Sequence, residues 1–462
     1  MAENELASDT VRSSIIVDSD VLAGDDAPNV AIEYDAGRLE AIRESARRLL
    51  QSMLSDHGCE CVWGWKESIW PGRLLRDYRD LQLASAVLVL VPLSRIGQME
   101  GKSGSLVLIG YLADAEHDEI PHSHPLVVKT IPKSKGAKLQ TEYENGKSIK
   151  PFAYDQKDVF AIPFCFDEEH PAYNVLWSIF SASEPLWTEG VDQPNLVVRD
   201  LRNLITAGDD ENVKAVLSDT FKTLRNLHFP FGKVLREPRR FGEEYEWYKR
   251  EFGHVWGDEW VEFWGDSDQQ HVEIDGEQRT NPLWVLRKLD QVEKEITVGA
   301  VHGDLHPGNI VLSATGQARI IDFGWSHDRA HVAKDFALLE CNLRFLTLRT
   351  QLSAGEVQRF AQWIEWDAVI PDGLGDYCRG RAELVRHLRS LARSAYPEDT
   401  DWDWEYAVPL FMIAFGLLRF APQLGNQPAA IETVLSLSDH IGRLLIDEGA
   451  ATSTSDSTNP SQ

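Results

Sequence analysis

Between Ala36 and Leu54 the apolar residues Leu39, Ile42, Ala46, Leu49 and Leu50 recur at helical spacing, which predicts an amphipathic helix. From Ala84 the period changes from helix to strand. The segments AVLVLVPL, SLVLIGYLA and PLVVKTI, parted by a Gly/Ser loop and by a polar turn around His117 to His124, predict a three-strand meander. A polar helical stretch, Lys138 to Lys150, follows, and then VFAIPFCF and YNVLWSIF read as two further strands. Beyond about Ser183 helical spacing dominates: Val213 to His228, Pro282 to Ile296, Ala333 to Leu348, Glu356 to Trp366, Arg379 to Ala395 and Glu405 to Phe420. These patterns predict an α+β chain with a small β-rich N-terminal lobe and a large, mainly α-helical C-terminal lobe.

The acidic residues 1–35 and the Ser/Thr-rich residues 450–462 are expected to be disordered. That leaves 36–182 as an N-lobe with a helical extension and 183–449 as the helical C-lobe. The extension could offer a surface to protein partners. Residues 240–270 are dense in Trp, Tyr and acids; they read as an amphipathic helix with buried aromatics, or as a cap over a substrate pocket.

Charge narrows the partners. With 46 basic and 73 acidic residues the net charge is −27, a field that repels nucleic acid and anionic membrane surfaces. The longest apolar run, Tyr406 to Leu418, is shorter than the roughly 20 residues of a membrane span and contains Pro409, so it is expected as a buried core helix. The start MAENELASD carries neither a basic region nor an apolar stretch, and a cytoplasmic protein is expected. The five cysteines are scattered, and the one C-x-C pair, Cys59 and Cys61, has no second pair to complete a zinc site. The pairs His122/His124 and His327/His331 have metal-like spacing without a third ligand and read as surface residues of a turn and a helix.

The chemistry is concentrated in HGDLHPGN, His302 to Asn309, and IIDFG, ending at Gly324. Phosphoryl transfer from ATP needs a carboxylate near the acceptor hydroxyl, hard oxygen ligands for Mg2+ and a cation on the phosphates, because catalysis is mostly positioning and charge stabilisation. Asp304 precedes Asn309 by five residues, the offset between catalytic base and metal-binding Asn in a kinase catalytic loop. NIVLS and ARIID then form a hairpin through Ala314-Thr315-Gly316-Gln317, which delivers Asp322 as a carboxylate for Mg2+.

Together these motifs resemble the aminoglycoside phosphotransferase and choline kinase-like family, including its kinase-like ternary-complex-associated branch. That resemblance, firm between Val301 and Asp335, implies a bilobal protein-kinase-like fold. By it Asp304 is the catalytic base, Asn309 and Asp322 are the metal ligands, and His302 is structural, with the role of His306 open. Gly303, where protein kinases have Arg, points to the small-molecule branch. Upstream, Gly101, Ser103, Gly104 and Ser105 resemble the nucleotide loop, although they match neither standard glycine spacing. Lys129 ends a strand as the phosphate-binding lysine does, and Val127 shares its face, where adenine would lie. Glu142 and Glu144 both could hold that ammonium; Glu142 is preferred because Leu139, Gly146 and Ile149 lie on its helix face. Leu227-His228 resembles the helix end that packs behind the catalytic loop, and Asp335 the aspartate that braces it.

The expected activity is therefore an ATP- and Mg2+-dependent phosphotransferase acting on a hydroxyl of a small molecule. The alternative is a nucleotide-binding regulatory module of a bacterial signalling or defence assembly.

Overall fold

The computed structural model describes residues 14–17, parts of 37–48, 86–92, 105–114, 126–153, 159–179, 199–250 and 264–455, apart from 314 and 367. The chain is α+β, with two compact units. One comprises Met1–Arg199 with Val311–Ser326, the other Asp200–Ile310 with His327–Gln462. The division thus falls at Arg199 rather than near 182, and the Val311–Ser326 segment packs with the β-rich unit.

The β-rich unit is built on a six-stranded sheet from β1 (Ser14–Val17), β2 (Ala86–Pro92), β3 (Leu106–Asp114), β4 (Leu126–Pro132), β5 (Cys165–Asp167) and β6 (Tyr173–Ile179). Their order is β1-β2-β3-β4-β6-β5. Strand β1 runs parallel to β2, pairing Ser14 with Val87, and all other neighbours are antiparallel. Sequence pattern missed β1 because four residues are too few to show a period. In β4 the residues Leu126, Val128 and Thr130 are buried while Val127 and Lys129 are half-buried on the other face, as alternation requires. Helix α1 (Lys138–Ile149) follows, burying Leu139, Glu142, Gly146 and Ile149.

The run VFAIPFCF is not one strand. Only its end joins the sheet as β5, whereas Phe160 makes a parallel bridge to Ile320. Pro163 has no N–H to donate, so a continuous ladder cannot cross it. The apolar signal was burial: Phe160, Ala161, Ile162 and Phe164 are all buried.

The second unit holds α2 (Leu201–Ala207), α3 (Asp210–His228), β7 (Leu235–Arg240), α4 (Pro282–Leu289), β8 (Glu293–Val301), β9 (His327–His331), α5 (Ala333–Cys341), α6 (Ala354–Gln362), α7 (Asp376–Ala395), α8 (Val408–Leu417) and α9 (Gln427–Ser455). Along α3 the residues Val213, Val216, Leu217, Thr220, Phe221, Leu224 and Leu227 form one buried stripe. Its acids Asp210 and Glu211 sit in the first turn and Arg225 and His228 in the last, which suits the helix dipole. All ten residues of α8 are buried, as expected of an apolar core helix, and among the described residues no helix is long and apolar enough to cross a membrane.

Three expectations are corrected here. The helix expected over Pro282 to Ile296 stops at Leu289, and the β-branched run beyond it becomes β8, the centre of a sheet ordered β9-β8-β7 with Ile296 to Val301 buried. His331 is not a helix surface residue; it is buried at the end of β9, with Nδ1 2.9 Å from the Tyr245 hydroxyl and Nε2 2.9 Å from Glu405. The final helix runs to Ser455, six residues into the stretch expected to be disordered.

Candidate active site

In the helical unit, β8 ends at Val301 and the next two backbone N–H groups converge on one buried carboxylate. His302 N donates to Asp335 Oδ2 at 3.0 Å and Gly303 N to Asp335 Oδ1 at 2.9 Å. The His228 ring Nε2 lies 2.9 Å from Asp335 Oδ2, from the last turn of α3. Burial alone would raise the Asp335 pKa, but the His228 hydrogen bond, the His302 charge and the His302 amide outweigh it and hold the group below the usual carboxylate range. Asp335 is thus a buried anion whose partners are two loop amides and the His228 ring.

Gly303 has φ +81°, a left-handed turn that glycine takes without strain. The chain then folds around the Asp304 carbonyl, which accepts from His306 N at 2.8 Å and from Asn309 Nδ2 at 2.9 Å. With its nitrogen engaged, the Asn309 side chain has in Oδ1 a hard oxygen of the kind that could hold a cation. The Asp304 side chain is 37% exposed, and His306 Nε2 lies 4.0 Å from its Oδ2. The Tyr248 hydroxyl is pushed up first by burial and then by the Asp304 charge.

In the β-rich unit, Lys129 Nζ donates to Glu142 Oε1 at 2.6 Å and lies 3.6 Å from Asp322 Oδ1. Glu144 instead accepts from Gln140 on the helix surface at 2.9 Å. Burial of the Lys129 ammonium would lower its pKa, but Asp322 and Glu142 outweigh burial and raise it above the ordinary lysine value. Asp322 has φ +67°, a costly conformation for a non-glycine residue, and its side chain is 45% exposed. Phe323 anchors that turn: it is fully buried and meets Phe160 edge-on at 6.2 Å. From α1, Asn145 Nδ2 donates to the Gly324 carbonyl at 2.7 Å, tying the helix that carries Glu142 to the turn that carries Asp322.

Val127 shares the Lys129 face as a half-buried residue, and Ser105 is buried at the start of β3. Gly101, Ser103 and Gly104 lie outside the described residues. Sequence reasoning passed over Asn145 and Tyr248.

Residues 260–419 match a family described as ternary complex associated domain 9. The chain is similar to a thermostable mutant of aminoglycoside phosphotransferase APH(4)-Ia in its apo form, at 11% identity and a TM-score of 0.37, with 78% of this chain and 94% of that chain covered. It is also similar to that enzyme's ternary complex with ADP and hygromycin B, at 11% identity and a TM-score of 0.39, over 77% of this chain and 93% of that one. No curated protein sequence matches the chain.

Proposed function

We propose that the protein is an ATP- and Mg2+-dependent phosphotransferase that moves the γ-phosphate to a hydroxyl of a small molecule. The observation that carries this reading is the Lys129–Glu142–Asp322 triad, a buried ammonium fixed by one carboxylate at 2.6 Å and facing a second, half-exposed one at 3.6 Å. Lys129 would pair with the nucleotide phosphates, with Val127 and the loop from Gly101 to Ser105 lining the nucleotide. Asp322 and the Asn309 amide oxygen would hold Mg2+, which supplies charge neutralisation at the phosphates. Asp304 would accept the proton of the acceptor hydroxyl, which its exposed carboxylate suits.

The test is transfer from labelled ATP across a panel of small hydroxyl compounds. Asp304→Asn should lower turnover by roughly a hundredfold or more while Mg-ATP affinity stays near wild type. Equal turnover in the variant would remove Asp304 from the role of base.

The match of residues 260–419 to a ternary complex associated domain favours a second reading, a nucleotide-binding regulatory module within a protein assembly. Tight Mg-ATP binding with no transfer to any acceptor would select it.

A further inference from the structure

The two phenylalanines that follow α3 are placed in opposite ways. Phe229 is buried and meets Tyr396 edge-on at 5.6 Å, whereas Phe231, two residues later, is 98% exposed. Its φ of +58° lies in the left-handed region, which costs a residue with a Cβ conformational energy, and Gly232 follows at +67°. Gly232 N donates to the Phe229 carbonyl at 2.9 Å and Lys233 N to the Pro230 carbonyl at 3.2 Å, closing the turn. A strained turn, anchored on a buried ring, thus presents an aromatic side chain to solvent.

The apolar surface continues along the chain. Val234 and Leu235 are 38% and 42% exposed, so three of the six large exposed hydrophobics among the described residues fall within five positions, which makes a patch rather than a scatter. Leu235 opens β7, an edge of the sheet ordered β9-β8-β7. Phe241 N donates to the Val292 carbonyl at 3.1 Å, continuing the register that pairs Arg240 with Glu293. The odd-numbered residues of β7 therefore bond to β8, and the main chain of Arg236, Pro238 and Arg240 points away from it. Pro238 has no N–H to offer, so a ladder can form on this edge around Arg236 but not through Pro238, and a pairing segment must be short.

Charge selects the partner. The chain carries a net charge of −27, yet this strip is basic. Glu237 is taken by Arg239 at 2.7 Å and by Arg329, and Arg240 lies 3.3 Å from Glu243. Lys233 and Arg236 are exposed and pair with no acid among the described residues. A second copy joined symmetrically through this strip would set like charges against each other.

We propose that Phe231 to Glu237 is a docking strip for a short, extended, acidic segment of another protein. The segment lies beside β7 with its backbone bonded to Arg236, its carboxylates on Lys233 and Arg236, and its apolar side chains against Phe231, Val234 and Leu235.

The experiment pans a display library of short random peptides on the full chain, with counter-selection on the double variant Phe231→Gly, Arg236→Glu. Selected peptides should combine Asp or Glu with an aromatic or aliphatic residue and bind the wild-type chain in fluorescence anisotropy. Phe231→Gly should weaken that binding about tenfold or more, as loss of an aromatic anchor does. Glycine takes the left-handed turn without strain, so the urea midpoint of this variant should not fall. Arg236→Glu, which leaves the turn intact, should also weaken binding, and this keeps the test decisive if the glycine variant loses stability. Affinity for the wild-type chain should drop as salt rises. Neutral or basic peptides emerging from the selection, no peptide that distinguishes wild type from the double variant, or unchanged binding in Arg236→Glu or in a folded Phe231→Gly would each overturn the proposal. Wild-type dimers in sedimentation that Phe231→Gly dissolves would overturn it too, by making the occupant a second copy.

Discussion

Asp335 and His302 are joined through the main chain: the fully buried carboxylate accepts the His302 N–H at 3.0 Å while its other oxygen takes the Gly303 N–H at 2.9 Å. One side chain on α5 therefore sets the path of the residues leading to Asp304.

Removing that side chain should be costly. Asp335→Ala would leave two buried N–H groups and the His228 ring without their acceptor, and a loss of about 3–5 kcal/mol in unfolding free energy is expected from urea titration. Asp335→Asn retains one carbonyl acceptor and should lose less. A loss below about 1 kcal/mol in the alanine variant would mean that the loop finds other partners.

In the β-rich unit the expected effect is on the nucleotide rather than on stability. On the proposed reading Lys129→Met would remove a charge-assisted contact to phosphate and should weaken Mg-ATP binding about ten- to a hundredfold by calorimetry. Glu142→Gln keeps a hydrogen-bond acceptor but not the charge opposite Lys129, so a smaller loss is expected. If Lys129→Met bound Mg-ATP as wild type does, the triad would have no part in nucleotide recognition.

How far these elements could be read from sequence depended on what kind of signal they leave. HGDLHPGN and IIDFG are local, so the turn around Asp304 and the strand delivering Asp322 were legible from spacing. The choice of Glu142 over Glu144 was legible too, because helix periodicity separates the two faces and only Glu142 reaches Lys129. By contrast, Asn145 on the Gly324 carbonyl is a contact across 179 positions, and no periodicity records it. The same limit explains the two misread segments. VFAIPFCF looked like a strand because burial and strand both produce apolar runs. The sequence from Pro282 to Ile296 looked like one helix because its β-branched end, Ile296 to Val298, pairs with β7, a partner more than fifty residues upstream.

Gly299 in β8 provides a packing test. A Cβ there would run into the His228 carbonyl and main chain at the end of α3, neither of which is a flexible side-chain end. Gly299→Ala should therefore destabilise the helical unit by about 1–3 kcal/mol, read as a lower urea midpoint. A neutral substitution would show that α3 can retreat from the strand.

The last prediction concerns pH and the buried charge cluster around Glu340. Its Oε1 accepts from Arg344 Nε at 2.6 Å and Arg389 Nη2 at 2.8 Å, and its Oε2 from Arg389 Nε at 3.0 Å and the Tyr406 hydroxyl at 2.8 Å. Burial alone would raise the Glu340 pKa, yet the Arg389 and Arg344 guanidiniums outweigh it and hold the group at about 2, against an ordinary 4.5. The native state thus binds this proton less readily than the unfolded chain. The stabilisation is fully present above pH 4.5 and is lost as pH falls toward 2. Integrated over the whole window it amounts to about 3 kcal/mol. Glu340→Gln should be less stable at neutral pH by about 3–5 kcal/mol, because two buried guanidiniums lose their counter-charge. It should also show a shallower decline between about pH 5 and 3, since the titrating group is gone. Measuring unfolding free energy against pH for both proteins isolates the effect, because every other carboxylate is common to them. Parallel curves would mean that Glu340 titrates alike in the folded and unfolded chain, and that the two arginines do not hold it ionised.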